Sequence, residues 1–256
     1  MLTYFESGFA IALSMVAAML VVAVLNRVWS VHSRKMINDV NGWQLGVLGT
    51  TYGVILGFML YTVWGQFRGA EVDASLEAAS ALNVFRIAVG LPEPQRDQMR
   101  ELAKEYVDVV ANQEWPAMQH QKENHRGGTV MAEMWSVLSS VRAEGVGEAN
   151  SVDHISSAMS NLAERRILRE NQRDSELPTL MWILLVVGGV ATVGSSCLLG
   201  NDNKWLHYCQ VLALTFVVAV TLAAIADLAK PYEGAVAVKS TVVVHTLEVM
   251  QGTFIP

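Results

Sequence analysis

Apolar residues in this chain gather into four long runs, two in each half, at residues 7–26, 42–67, 177–200 and 205–227. Each reaches about the 20 residues that a helix rising about 1.5 Å per residue needs to cross roughly 30 Å of hydrocarbon. Apart from Asp227 at the end of the last run, none of them holds an Asp, Glu, Lys or Arg. Soluble proteins rarely keep so many consecutive positions free of charge, so the runs predict four transmembrane helices in two hairpins. Between the hairpins, residues 68–176 are rich in charge and predict a soluble domain, and residues 228–256 form a C-terminal segment.

The central region has a helical period. Its Ala-rich start runs to Gly90, and Leu91-Pro92-Glu93-Pro94 separates it from a second element. There Met99, Leu102, Tyr106, Val109 and Val110 recur at helical spacing among charges, one apolar stripe that must pack against something. Gly127-Gly128 is expected to end that stretch. A third helix is predicted at residues 130–143 and a fourth at 152–173, with Ser151 as its N-cap and Ile155, Met159 and Leu162 on one face. With no strand period to compete, the chain is an all-α membrane protein with a central helical soluble domain.

Four spans place both termini and the central domain on one side. Arg68, Arg165, Arg166, Arg169, Arg173, Lys230 and Lys239 on that side outnumber Arg27, Arg34, Lys35 and Lys204 in the opposite loops, which puts termini and domain in the cytoplasm. The start of the sequence has no basic stretch before its apolar run and no clear cleavage site after it, so the first run is expected to stay as a membrane helix. Cys197 and Cys209 flank the short connection of the second hairpin at similar depth and are expected to pack as thiols between helices. The net charge of −6 lies largely in the central domain and no basic run is interleaved with aromatics, so nucleic acid is not an expected partner.

Motifs for chemistry are missing. His120 and His125 stand five apart, not at the i, i+4 spacing of a metal pair, and there is no phosphate-binding loop, nucleophile elbow or Cys-x-x-Cys. No enzyme, metal or cofactor is expected. Energised transport normally needs an ionisable group within the membrane, and Glu6, Asp202 and Asp227 all stand at segment ends, which leaves a passive pore as the open route.

The second span carries the most information. Gly49, Gly53, Gly57 and Gly65 recur at multiples of four and predict a small-residue face for close helix approach. Roughly opposite lie Thr51, Ile55, Phe58 and Thr62, a mixed stripe suited either to lining a pore with a hydrophobic constriction or to packing against another protomer. Before the third span, Arg165, Arg169 and Arg173 recur every fourth position and are candidates for an anion-concentrating vestibule or for headgroup contact. Interspersed Glu164, Glu170, Asp174 and Glu176 favour the plainer reading of an ion-paired, solvated face.

Several short motifs occur in a recognisable order: Tyr52 with Gly57-Phe58, Leu82 to Arg86 followed by Leu91-Pro92, Tyr106 with Glu114-Trp115-Pro116, Leu177-Pro178 with Trp182, and Lys230-Pro231-Tyr232-Glu233-Gly234. In this the chain resembles the bacterial and plant bestrophin-like membrane proteins, a family grouped under a domain of unknown function and distantly similar to the bestrophins. The resemblance implies a homo-oligomer, a pentamer in the bestrophins, surrounded by membrane lipids and conducting small anions through a pore lined by the second span. Thr51, Ile55, Phe58 and Thr62 are then the neck candidates. Glu114, Trp115, Pro116, Pro231, Tyr232 and Gly234 are structural landmarks, with Trp115 anchoring the soluble helices and Glu114 capping or pairing with an arginine such as Arg86. The acidic run that binds calcium in animal bestrophins is missing after Glu233, so no calcium clasp is expected. Two functions are compatible with these residues: an oligomeric ion channel, or a non-conducting membrane scaffold or sensor whose cytoplasmic helices bind a partner.

Overall fold

The computed structural model describes residues 4–142, 145–173, 177–234 and 236–252. Ten α-helices follow in order: α1 Tyr4–Val28, α2 Val31–Lys35, α3 Asn38–Ile87, α4 Gln95–Val109, α5 Trp115–Gln119, α6 Arg126–Ser140, α7 Val146–Arg173, α8 Thr179–Cys197, α9 Lys204–Leu228 and α10 Thr241–Gln251. No strand occurs among the described residues. They separate into two compact units, one within residues 2–66 and 176–229 and the other within 67–175 and 230–256.

The first unit holds α1, the start of α3, α8 and α9, the four helices long and apolar enough to cross a membrane. The backbone hydrogen bonds of a helix close within the segment, and helices therefore suit a medium without water. α1 packs on α8 and α9, and α8 on α9. Ala18, Val22, Cys197 and Val211 form a core with Leu25, Val193 and Tyr208 around it. Large apolar side chains such as Phe9, Leu13, Leu180 and Val190 point outward, as lipid-facing positions require.

α3 joins this group through Tyr52, which is buried and donates its hydroxyl to the Leu185 carbonyl of α8 at 2.8 Å. The ring lies where Gly188 and Gly189 lack side chains. A Cβ on Gly188 would stand 2.6 Å from Tyr52 Cδ2, and one on Gly189 would stand 2.9 Å from the hydroxyl. The glycines that matter for close approach within the chain are thus on α8. Around Gly49, Gly53, Gly57 and Gly65 an added Cβ meets nothing within 4 Å, so the small-residue positions of α3 have no seat inside this chain.

The second unit is built on α4, α6, α7 and α10, with α6 and α10 against α4 and α7 against α6. The predicted stripe on α4 is there, with Met99, Tyr106, Val109 and Val110 buried, and Ile155, Met159 and Leu162 of α7 are buried too. Two helix starts differ from expectation. α7 begins at Val146, and Ser151 lies inside it with its hydroxyl donated to the Gly147 carbonyl at 3.0 Å, a local bond that lets serine sit in a helix interior. Gly127-Gly128 does not break a helix but forms the first turn of α6. The two cysteines differ in setting, Cys197 buried and Cys209 exposed, and both are free.

Between α4 and α5 the helix widens into a π turn over residues 110–114, where the Trp115 N–H reaches back to the Val110 carbonyl. Pro116 accounts for it. Proline has no N–H for the carbonyl four residues earlier and its ring crowds that carbonyl, which a wider turn relieves.

The Tyr52 seat makes a direct prediction. Gly188→Ala is expected to lower thermal stability in detergent by about 1–3 kcal/mol through overpacking, and Tyr52→Ala in the same chain is expected to suppress part of that loss. Strictly additive losses in the double variant would show that the two positions are not in contact.

Candidate functional site

Two groups of residues stand out, one on the membrane part of α3 and one in the core of the second unit. On α3, Tyr52, Leu56 and Val63 are buried and define the side turned toward the rest of the chain. Advancing about 100° per residue, the helix places Thr51, Ile55, Phe58 and Thr62 along one flank of that buried stripe. Thr51, Phe58 and Thr62 are exposed and Ile55 is half-buried, with Phe58 at 70% of its maximal exposure. Gly53 and Gly57 lie on the other flank, while Gly49 borders the buried side. Gly65 has drifted round toward the Phe58 flank, because steps of four and eight residues advance the helix by about 40° and 80°. The Thr62 hydroxyl donates to the Phe58 carbonyl at 2.9 Å.

In the second unit four charged side chains are buried together: Glu77 of α3, Glu114 at the π turn, and Arg166 and Arg169 of α7. Arg169 is 1% exposed and bridges both carboxylates, donating from Nε to Glu77 Oε2 at 2.6 Å and from Nη2 to Glu114 Oε2 at 2.8 Å. Arg166 grips Glu114 with two parallel bonds of 2.8 Å. The phenol of Tyr106 donates to Glu77 Oε1 at 2.6 Å, and the Gly127 N–H to Glu114 Oε1 at 2.9 Å. The glycine is needed there, since a Cβ would lie 2.5 Å from Arg166 Nη1 and 2.6 Å from Glu114 Oε1.

Two carboxylates and two guanidiniums make the cluster electrically neutral. Burial opposes the Glu114 carboxylate, yet the hydrogen bond from Arg166 and the charges of Arg169 and Arg166 outweigh it and hold its pKa below the ordinary value. Burial also works against both arginines, and their acidic partners more than compensate, Glu77 foremost for Arg169 and Glu114 for Arg166. Burial and then the neighbouring Glu77 push the Tyr106 phenol well up. At neutral pH Glu114 and the arginines therefore stay charged and Tyr106 stays protonated. The arrangement fastens helices together and offers no proton for exchange.

The landmark residues meet at this cluster. Trp115 is buried beside it and donates its indole N–H to the Val238 carbonyl at 3.1 Å. Its ring meets that of Tyr232 edge to face, with centroids 5.6 Å apart. Pro231 accepts from the Val238 N–H at 2.8 Å, and Gly234 adopts a φ of 83°, a left-handed conformation that favours glycine. Glu233 accepts from Gln121 Nε2 at 2.7 Å.

Three readings of the sequence change here. Glu114 pairs with Arg166 and Arg169 rather than Arg86, because α7 and not the end of α3 runs past the π turn. Arg169 does not belong to an exposed arginine row and is not available to anions or headgroups, since two carboxylates claim it inside the core. Arg165 pairs with Asp73 at 3.1 Å, and Arg173 is half-buried, 4.0 Å from Glu123. Sequence reasoning passed over Glu77. The signal was a lone carboxylate among Ala74, Ala78 and Ala81, all buried, at helical spacing. No group of three or more His, Cys, Asp or Glu that would hold a metal ion occurs among the described residues.

Removing one partner of the cluster leaves an uncompensated charge in the core. Glu114→Ala is expected to cost about 3–5 kcal/mol, measured as denaturant stability, with Glu114→Gln costing less. Because the folded-state pKa of Glu114 is lowered, its contribution is present above the ordinary glutamate value of about 4.3 and is lost as pH falls through the folded value. Acid titration of stability is therefore expected to be steeper in the unmodified protein than in Glu114→Gln, and equal slopes would contradict this assignment.

Comparison with known proteins agrees with this architecture. No characterised protein matches the chain by sequence. Among solved structures it is similar to a bacterial bestrophin homologue from Klebsiella pneumoniae, at 11% identity over 95% of this chain and 98% of that one, with a TM-score of 0.68. An isoleucine-to-threonine variant of that homologue gives 11% identity, 96% and 98% coverage and a TM-score of 0.70. At such identity the likeness establishes the fold, four membrane-compatible helices with a helical soluble part. The sequence profile of the Bestrophin-like domain matches residues 12–243, nearly the whole chain, and the protein belongs to the bestrophin-like family.

Proposed function

We propose that this chain is one subunit of a homo-oligomeric ion channel of the bestrophin type, with the membrane part of α3 facing a central axis. The observation that carries this reading is the stripe of Thr51, Phe58 and Thr62, with Ile55 at its border, left uncovered by the chain's own helices on the flank of the buried Tyr52 stripe. Around a closed axis such a stripe makes a narrow, largely apolar neck with hydroxyls near its ends. The positions of Gly53 and Gly57, open within the chain, provide a close-approach surface for a neighbouring subunit.

Family membership supports a ring of five, and anions are the favoured permeant species. The protein is placed in the cell membrane, multi-pass, with termini and the central domain in the cytoplasm, on the balance of basic residues flanking the spans. The lining itself offers an anion few donors, since the Thr62 hydroxyl is already given to a backbone carbonyl. Selectivity on this reading rests on the field around the pore rather than on its wall.

Ile55→Ala together with Phe58→Ala is expected to raise anion flux from proteoliposomes several-fold while the purified ring keeps its size and melting temperature within a few degrees. Unchanged flux in an intact ring removes these residues from the neck. A monomer or plain dimer by native mass spectrometry removes the central pore and favours a scaffold whose soluble helices bind a partner.

A further inference from the structure

The membrane unit contains a buried cation that the neck does not use. Arg34 of α2 has no solvent exposure. Its Nη1 donates to the carbonyls of Cys197 and Leu199 at the end of α8, both at 3.3 Å, and its Nη2 donates to Asn26 Oδ1 at the end of α1. Its Nε has no partner among the described residues. Every acceptor is neutral, and no Asp or Glu forms an ion pair with Arg34 among the described residues. Neighbouring Lys35, by contrast, pairs with Asp202, while Asp39, the nearest carboxylate in sequence, is exposed to water and pairs with nothing among the described residues.

Buried guanidiniums are ordinarily matched by a carboxylate, because taking a charge out of water is costly. Here the α8 carbonyls supply only the partial negative charge of a helix end, roughly half a unit. Arg34 therefore leaves net positive charge in a place water cannot screen, and it does so four residues before Asn38, the first residue of α3. Asn38 is itself tied to the α8–α9 connection by bonds to and from Gly200 of 2.7 and 2.9 Å, so the cation and the start of α3 are held in one fixed frame.

We infer that Arg34 is a specificity-determining residue, a fixed cation at the mouth of the α3-lined pore that concentrates small inorganic anions there. This rests on the channel reading and adds the source of its charge preference. Copies in a ring sum their fields, and fields in a low-dielectric frame raise the local counter-ion concentration.

The test neutralises the charge in place. Asn26→Asp is nearly isosteric and gives Arg34 Nη2 a carboxylate without removing the side chain. The expected result for chloride in planar bilayers is a fall in conductance of about threefold at 0.01 M salt that vanishes near 1 M, where the Debye length has dropped from roughly 30 Å to 3 Å. The reversal potential in a potassium chloride gradient is expected to shift toward that of potassium, while the melting temperature stays level or rises. Arg34→Lys, which keeps the charge and loses the fork, is expected to hold the reversal potential of the unmodified protein. A stable Asn26→Asp ring with unchanged reversal potential and salt dependence overturns the inference and leaves Arg34 as a structural tie alone. If the unmodified ring passes no chloride, the channel reading fails first and takes this one with it. Should Asn26→Asp fail to assemble, Arg34→Gln gives the same two readouts with the same expected direction.

Discussion

The soluble half of this protein depends on one arginine held between two glutamates. Arg169 draws Glu77 of α3 and Glu114 of the π turn to a single guanidinium, and Arg166 doubles the hold on Glu114. A carboxylate pair would repel without those cations, and the cations would be costly to bury without the carboxylates. Each requirement is met only when α3, the π turn and α7 take their places together. The surrounding detail follows from that need: a glycine at 127 to admit Glu114, a tyrosine at 106 to fill the remaining valence of Glu77, and an indole at 115 beneath the guanidinium.

The membrane half meets a different constraint by a related means. Where water is missing, polar groups are closed on carbonyls that already belong to helices, as Tyr52 closes on Leu185 and Arg34 on the end of α8. Neither bond crosses between charges. The result is a set of helices that turn large apolar side chains outward and fix the direction of the few polar side chains they bury.

Much of this was legible in the sequence, for a physical reason. A membrane span is specified by composition over some 20 residues, so the four runs and the charged centre needed no knowledge of packing, whereas the expected pairing of the first two spans did, since α1 packs on α8 and α9. Stripes on α4 and α7 showed through their period. Pairings did not. The partner of Glu114 depends on which helix passes the π turn, and nothing in local spacing distinguishes Arg86 from Arg166. The arginines at 165, 169 and 173 looked alike as a row, yet only the position opposite Glu77 is drawn fully inward. The glycines of α3 were more conspicuous than Gly188 and Gly189, but a glycine's use is decided by what arrives opposite it, here the ring of Tyr52.

The widened turn at residues 110–114 carries a consequence for how this region tolerates change in length. A π turn holds one residue more than an α turn, so the inward direction of Glu114 and Trp115 depends on counting as much as on chemistry. Loss of a single residue between Val110 and Gln113 would be absorbed as the turn closes to an ordinary helix, which keeps the indole and carboxylate on the inward face but presses Pro116 against the carbonyl four residues before it, whereas the same loss in a regular stretch of helix would rotate everything beyond it by about 100°. Register at this point is held by a turn with one residue to give, and a variant one residue shorter would keep the facing of the site while straining the proline beside it.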